Sequence, residues 1–238
     1  MTSSLNKRWL YLATGVFTML FSGILYAWSI LKIPFKESFG WEDSVLSNNF
    51  TLTMCFFCLG AFFGSLICKK LGPKITLFIS GFLVGAGFIS TGLLDGNTPF
   101  LIFLTYAILA GSGIGISYNV VVSTVCSWFP DKKGFCSGCL MMGFGVSTLL
   151  MGNTISVLFE SSSVGWGRTY VLLGAVVAIV IFFAATILRL PSPDTVLPAA
   201  KLKKSVKKEA FEVRDFSTVE MLRSFTFWRA FVFMAFIT

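Results

Sequence analysis

The sequence predicts an all-α membrane protein in which six transmembrane helices form two inverted three-helix repeats, followed by the start of a seventh helix. Three observations carry this expectation. Apolar residues make up 55% of the chain and charged residues 13%. A soluble surface needs about a quarter or more of its residues charged, so lipid is the outer solvent. Six apolar runs, near 9–31, 45–68, 75–94, 100–127, 135–159 and 168–188, reach the length of about 20 residues that crosses a bilayer. Lys and Arg gather between alternate runs, as membrane orientation requires. With the N-terminus cytoplasmic, 16 of the 19 Lys and Arg fall in interior segments, and only Lys32, Lys36 and Arg168 lie in exterior loops. The expected protein is thus a multi-pass protein of the cell membrane, with the bilayer as its first partner. Its net charge of +8 is explained by the flanks of the spans and needs no nucleic acid.

The first run is a retained helix: its apolar stretch is too long for a signal peptide and lacks a small-x-small cleavage site. It carries Thr14, Thr18, Ser22 and Tyr26 at steps of four, one polar stripe expected to face the bundle interior. Helices two, three and four carry the pairs Gly60/Gly64, Gly81/Gly85 and Gly111/Gly115. Small residues at that spacing let helix backbones approach closely, so packing is their expected role. On helix four, Gly111, Gly115, Asn119 and Ser123 share a face, with Tyr118 beside Gly115. Gly23-Ile-Leu-Tyr26 on helix one is echoed by Gly115-Ile-Ser-Tyr118 on helix four, and these helices run in opposite directions. They would be the first members of two inverted triplets, as in many secondary transporters.

Three segments follow from the pattern: a six-helix bundle at 1–188, a basic cytoplasmic linker at 189–223 and a truncated seventh span at 224–238. The linker holds Pro191, Pro193, Pro198 and a run of lysines from Lys201 to Lys208, which would lie near anionic lipid or simply be solvated. The last stretch covers about 21 Å as helix, short of a hydrocarbon core of about 30 Å.

The chemistry-bearing residues point away from an enzyme. The chain has no His, and no nucleophile–base or metal constellation stands out, so neither a catalytic residue nor a cofactor is expected. Two Cys-x-x-Cys pairs, Cys55/Cys58 and Cys136/Cys139, could supply four thiolates to zinc. They lie at different membrane depths, roughly 15 Å or more apart, and read as small helix residues with no metal. Apart from Arg168, the first residue of the sixth run, no Asp, Glu, Lys, Arg or His falls inside the six spans. Ionisable groups at membrane depth mark proton relays and counter-ions, so an anionic solute would take its positive partner from elsewhere.

Four segments carry a family resemblance: Asn6-Lys7-Arg8-Trp9, Gly23-Ile-Leu-Tyr26-Ala-Trp28-Ser29, the hairpin Trp128-Phe129-Pro130-Asp131-Lys132-Lys133-Gly134 after the glycine-rich run, and Gly165-Trp166-Gly167-Arg168. With Glu220-Met221-Leu222-Arg223, they resemble the N-terminal half of a major facilitator superfamily transporter. The greatest likeness is to the oxalate/formate antiporter family, which is related to the monocarboxylate transporters. The resemblance implies transport of a small organic anion by alternating access, with a substrate cavity at Tyr26, Tyr118, Asn119, Trp28, Thr18 and Ser22. The two tyrosines would donate hydrogen bonds to a carboxylate. Each has a structural alternative: interface anchoring for the tyrosines, cross-helix bonding for Asn119 and packing for Trp28. The resemblance also implies cytoplasmic gating loops at Lys69, Lys70 and Gly72 and at Asp131, Lys132 and Lys133, where setting topology by charge is the alternative. It places the anion-binding cations on a second set of six helices, from a C-terminal half-transporter chain or a homodimer. Two departures are visible: Lys69 stands where the family carries an acid, and Leu25 stands where the oxalate transporters carry an amide. A truncated, non-transporting membrane protein or scaffold is the alternative reading.

Overall fold

The structure is a computed structural model and describes residues 2–161, 165–192 and 218–237. The chain divides into two compact units, Met1–Ala200 and Lys201–Thr238. In the first unit a helical path begins with α1 (Thr2–Ser22), tightens into a 3-10 turn over Gly23–Ala27, and continues as α2 (Trp28–Leu31) and α3 (Ile33–Phe39). It stops at Gly40, whose φ of 64° is left-handed and suits glycine. The sequence ends this span at 31 and puts Lys32 and Lys36 in an exterior loop. The structure extends the helical path past that bound: Pro34 sits in the first turn of α3, where its missing N–H costs nothing, so the chain coils on to Phe39.

The next element, α4 (Asp43–Gly92), has 50 residues, about 75 Å of helix. That is more than twice a hydrocarbon core. It is broken at Gly72, where φ 78° and ψ 167° are conformations that only glycine adopts easily, and Pro73 follows. The two halves run in opposite directions along a common neighbour. That neighbour is helix four, which opens with a wide-turned π segment at Phe103–Gly111 and continues as α5 (Ser112–Ser127). In the first half, Thr53 meets Gly111 and Gly64 meets Ile116, so both chains advance together. In the second half, Val84 meets Gly113 and Gly87 meets Thr105, so one advances as the other retreats. The element is therefore two membrane passes joined at Gly72. With α6 (Lys133–Glu160) and α7 (Gly165–Ile187), the described residues hold five helices long and apolar enough to cross a membrane, which make six spans because α4 counts twice.

The two inverted triplets are legible in the packing. The first span runs parallel to the fifth: Gly15 meets Leu140, Gly23 meets Ser147 and Gly152 meets Ile30. The fourth runs parallel to the second through the contacts just given. Exchanging first with fourth and second with fifth maps one pair onto the other, as an inverted repeat requires. The outward faces are apolar: Phe82 is 71% exposed, Leu149 77% and Ile179 64%. Such faces suit acyl chains and would be a liability in water. The second unit contains α8 (Thr218–Arg223) and α9 (Phe225–Ile237). Most of the linker assigned from sequence, 193–217, lies outside the described residues.

Candidate functional site

Two glycines and two phenylalanines build the centre of the bundle. A side chain at Gly23 would run into the backbone carbonyl of Phe144 on α6, and one at Gly115 into that of Phe57 on α4. Each contact lets a tyrosine three residues later lie beside the opposing phenylalanine. Tyr26 and Phe144 have ring centroids 5.3 Å apart, and Tyr118 and Phe57 are 5.4 Å apart. The pairs then meet: Tyr118 is 5.2 Å from Phe144, and Phe57 is 6.1 Å from Phe144. The four rings, with Met141 and Gly145, line a cavity of about 230 Å³. Its lining thus includes two tyrosines and two phenylalanines, residues whose ring edges carry partial positive charge. No charged side chain lines it.

A second, more open cleft of about 420 Å³ lies between the first and second spans, lined by Tyr26, Trp28, Ser29, Lys32, Ser47, Phe50 and Thr51. Tyr26 belongs to both spaces. The backbone beneath Lys32 is pinned from two sides. The Trp28 indole Nε1–H donates to the Leu46 carbonyl at 3.0 Å, and the Tyr170 hydroxyl donates to the Leu31 carbonyl at 2.7 Å. Phe35, fully buried, stacks on Trp41 at 5.2 Å and holds the next turn. One turn on, Lys36 donates to the Asp43 carboxylate at 2.6 Å. That hydrogen bond and the Lys36 charge hold the Asp43 carboxyl, in the polar turn ahead of the apolar stretch, below the usual range; Lys32 adds a weaker pull.

The sequence pattern of the Major Facilitator Superfamily matches residues 9–238. The chain belongs to this superfamily. The oxalate:formate antiporter of Oxalobacter formigenes is 32% identical over 229 residues, 95% of this chain and 51% of that protein. An uncharacterized MFS-type transporter of Escherichia coli (strain K12), YhjX, is 25% identical over 94% of this chain and 52% of its own length. Monocarboxylate transporter 12 of Homo sapiens is 24% identical over 63% of this chain and 28% of its own length. The chain thus spans about half the length of the first two relatives. As a superfamily member with six lipid-faced spans, it is a multi-pass membrane protein.

Within this facilitator bundle the cavity residues named from sequence separate. Tyr26 and Tyr118 converge on one cavity. Thr18 and Ser22 do not reach it: they are 1% and 0% exposed, and Thr18 Oγ1 donates to the Thr14 carbonyl at 2.8 Å. The cause is the 3-10 turn. At about three residues per turn instead of 3.6, it rotates Tyr26 about 80° off the stripe that Ser22 belongs to. Trp28 is 5% exposed, spends its indole N–H on Leu46 and lines the second cleft, not the aromatic cavity. Asn119 is half-buried and lines neither space.

The glycine pairs lie against neighbours: Gly60 on Ser112, Gly64 on Ile116, Gly81 on Phe182, Gly85 on Ala178, and Gly111 on Thr53. At the N-terminal end, Lys69 and Lys70 are exposed beside the Gly72 turn. Asp131 does not merely join helices four and five. It accepts from Arg8 on α1 at 3.1 Å, and Arg8 lies over the Phe129 ring at 5.1 Å. Lys132 lies 6.0 Å above the Trp9 ring, and Lys133 is exposed. Cys55 and Cys58 are exposed on α4, far in sequence from Cys136 and Cys139 on α6.

Sequence reasoning missed Phe57, Phe144, Met141 and Lys32. The phenylalanines are 2 of 27 and carry no local mark. Applying the repeat to the glycine contacts would have required an aromatic on each opposing helix, but those contacts exist only in three dimensions.

Proposed function

We propose that this chain forms one six-helix wall of a carrier that moves small organic anions by alternating access. Monocarboxylates and dicarboxylates, in exchange of the oxalate/formate kind, fit the cavity. The observation that carries the reading is the convergence of Tyr26 and Tyr118, from helices related by the inverted repeat, on one aromatic cavity. Each phenol O–H donates to a carboxylate oxygen, and the ring edges of Phe57 and Phe144 complete a weakly positive shell. The names of the antiporter and monocarboxylate relatives agree with this solute class. A second six-helix bundle supplies the opposite wall, whether from the same polypeptide, another chain or a second copy. Rocking of the two bundles exposes the site to each side in turn.

On this reading the N-terminus, the Gly72 turn and the Asp131 hairpin lie on the cytoplasmic side of the cell membrane, and the distribution of Lys and Arg supports that sidedness. There, Lys69, Lys70 and the Arg8–Asp131 pair open and close with the bundles. The test is counterflow: the purified chain in liposomes preloaded with oxalate, formate or lactate accumulates the same labelled anion. Failure with all three anions supports a non-transporting membrane protein instead.

A further inference from the structure

The second cleft changes where a positive charge is available. By sequence, any anion bound here draws its counter-charge from outside the six spans. In the structure, the helical path runs on past 31, and its first added residue, Lys32, lines a cleft that shares Tyr26 with the aromatic cavity. Lys36 is engaged by Asp43 at 2.6 Å, whereas Lys32, half-buried, forms no ion pair among the described residues. Around it stand the hydroxyl-bearing Ser29, Ser47 and Thr51, with Trp28 and Phe50 as apolar walls. A volume of about 420 Å³ is ample for a small carboxylate that still carries part of its hydration shell, at about 30 Å³ per water.

We propose that Lys32 makes this cleft an outer capture site for small carboxylates, from which Tyr26 hands the anion on to the cavity of Phe57, Tyr118 and Phe144. The inference rests on the organic-anion reading and adds a first stop and a charge to it. Lys32 draws the anion by charge while the hydroxyls replace part of its water. Tyr26, on the shared wall, offers its O–H to the same carboxylate from either space. The inner cavity, uncharged on this side, takes the anion only after more of its water is shed. Capture is therefore the salt-sensitive step, and inner binding is not.

The test is equilibrium binding of labelled oxalate, formate and lactate to the purified chain in lipid nanodiscs, at low and high ionic strength. Lys32→Gln is expected to weaken binding about tenfold at low salt, as loss of a charged hydrogen bond does, and to flatten its salt dependence. Lys32→Arg, which keeps the charge, stays within about threefold. Lys36→Gln binds as the unaltered chain does. Reductive methylation followed by mass spectrometry gives a second readout, in which oxalate protects Lys32 but not Lys36. Unchanged binding in Lys32→Gln overturns the capture site while leaving the organic-anion reading intact. An equal loss in Lys36→Gln assigns the effect to general surface charge and also overturns it. Equal losses in Lys32→Gln and Lys32→Arg, each with a lowered melting temperature, mark Lys32 as structural and overturn it too. If the unaltered chain binds none of the three anions, both readings fall together.

Discussion

Gly115 and Gly138 are both helical glycines, yet they stand in opposite circumstances. A β-carbon at Gly115 collides with the Phe57 carbonyl, which is main chain and cannot rotate aside. At Gly138 nothing lies within 4 Å. Gly115→Ala is expected to cost about 1–3 kcal/mol through forced helix separation, and it also pulls Tyr118 off Phe57. Gly138→Ala is neutral or gains up to about 1 kcal/mol from helix propensity. Thermal unfolding of both variants in one detergent checks the pair; equal responses would show that the close approach of the second and fourth spans is not what holds the cavity's shape. Glycine spacing in the sequence marks close packing but does not say which glycines face a backbone and which face lipid. Gly81 and Gly85 show the ambiguity: a β-carbon at the first would lie 2.6 Å from the edge of the Phe182 ring, and one at the second 3.2 Å from the Ala178 methyl and 3.9 Å from the Gly174 carbonyl.

At the level of elements, the Gly72–Pro73 break decides the topology. A straight α4 would put residues 43 and 92 far apart, whereas reversal brings both to the end opposite the N-terminus. In a cysteine-free background and sealed vesicles, cysteines replacing Lys70 and Lys132 should react with a membrane-impermeant maleimide from one side. Those replacing Glu42 and Asp95 should react only from the other. Labelling of Lys70→Cys and Asp95→Cys from the same side would remove one pass and with it the inverted repeat. The spans were legible from the sequence because apolar length and basic flanks are one-dimensional signals. The irregular turns were not. The 3-10 segment at Gly23–Ala27 swings Tyr26 away from Thr18 and Ser22, and the continuation through Pro34 places Lys32 at the junction of α2 and α3. Trp28, Phe35 and Tyr170 pack around this stretch, and no local periodicity links them.

At the scale of the whole molecule, the bundle has two kinds of interior. One is sealed: Tyr106, Phe88, Tyr170 and Phe35 are fully buried and lock the spans together. The other is lined by Tyr26, Phe57, Tyr118 and Phe144, with Tyr26 still 49% exposed, so the bundle keeps one wettable face. The carrier proposed above uses both, a rigid body to rock and a face to bind. The paired Gly-x-x-Tyr motif foreshadowed the tyrosines, while their phenylalanine partners emerged only from the helix crossings. On the proposed organic-anion reading, the repeat gives the two tyrosines matching positions at the inner cavity. The most direct measurement is oxalate counterflow by Tyr26→Phe, Tyr118→Phe and the double variant in liposomes. Each single change should raise the half-saturation concentration about tenfold, the worth of one hydrogen bond to a carboxylate, and the double change should raise it further. Unaltered half-saturation in all three variants would mean that the anion is not held by these hydroxyls.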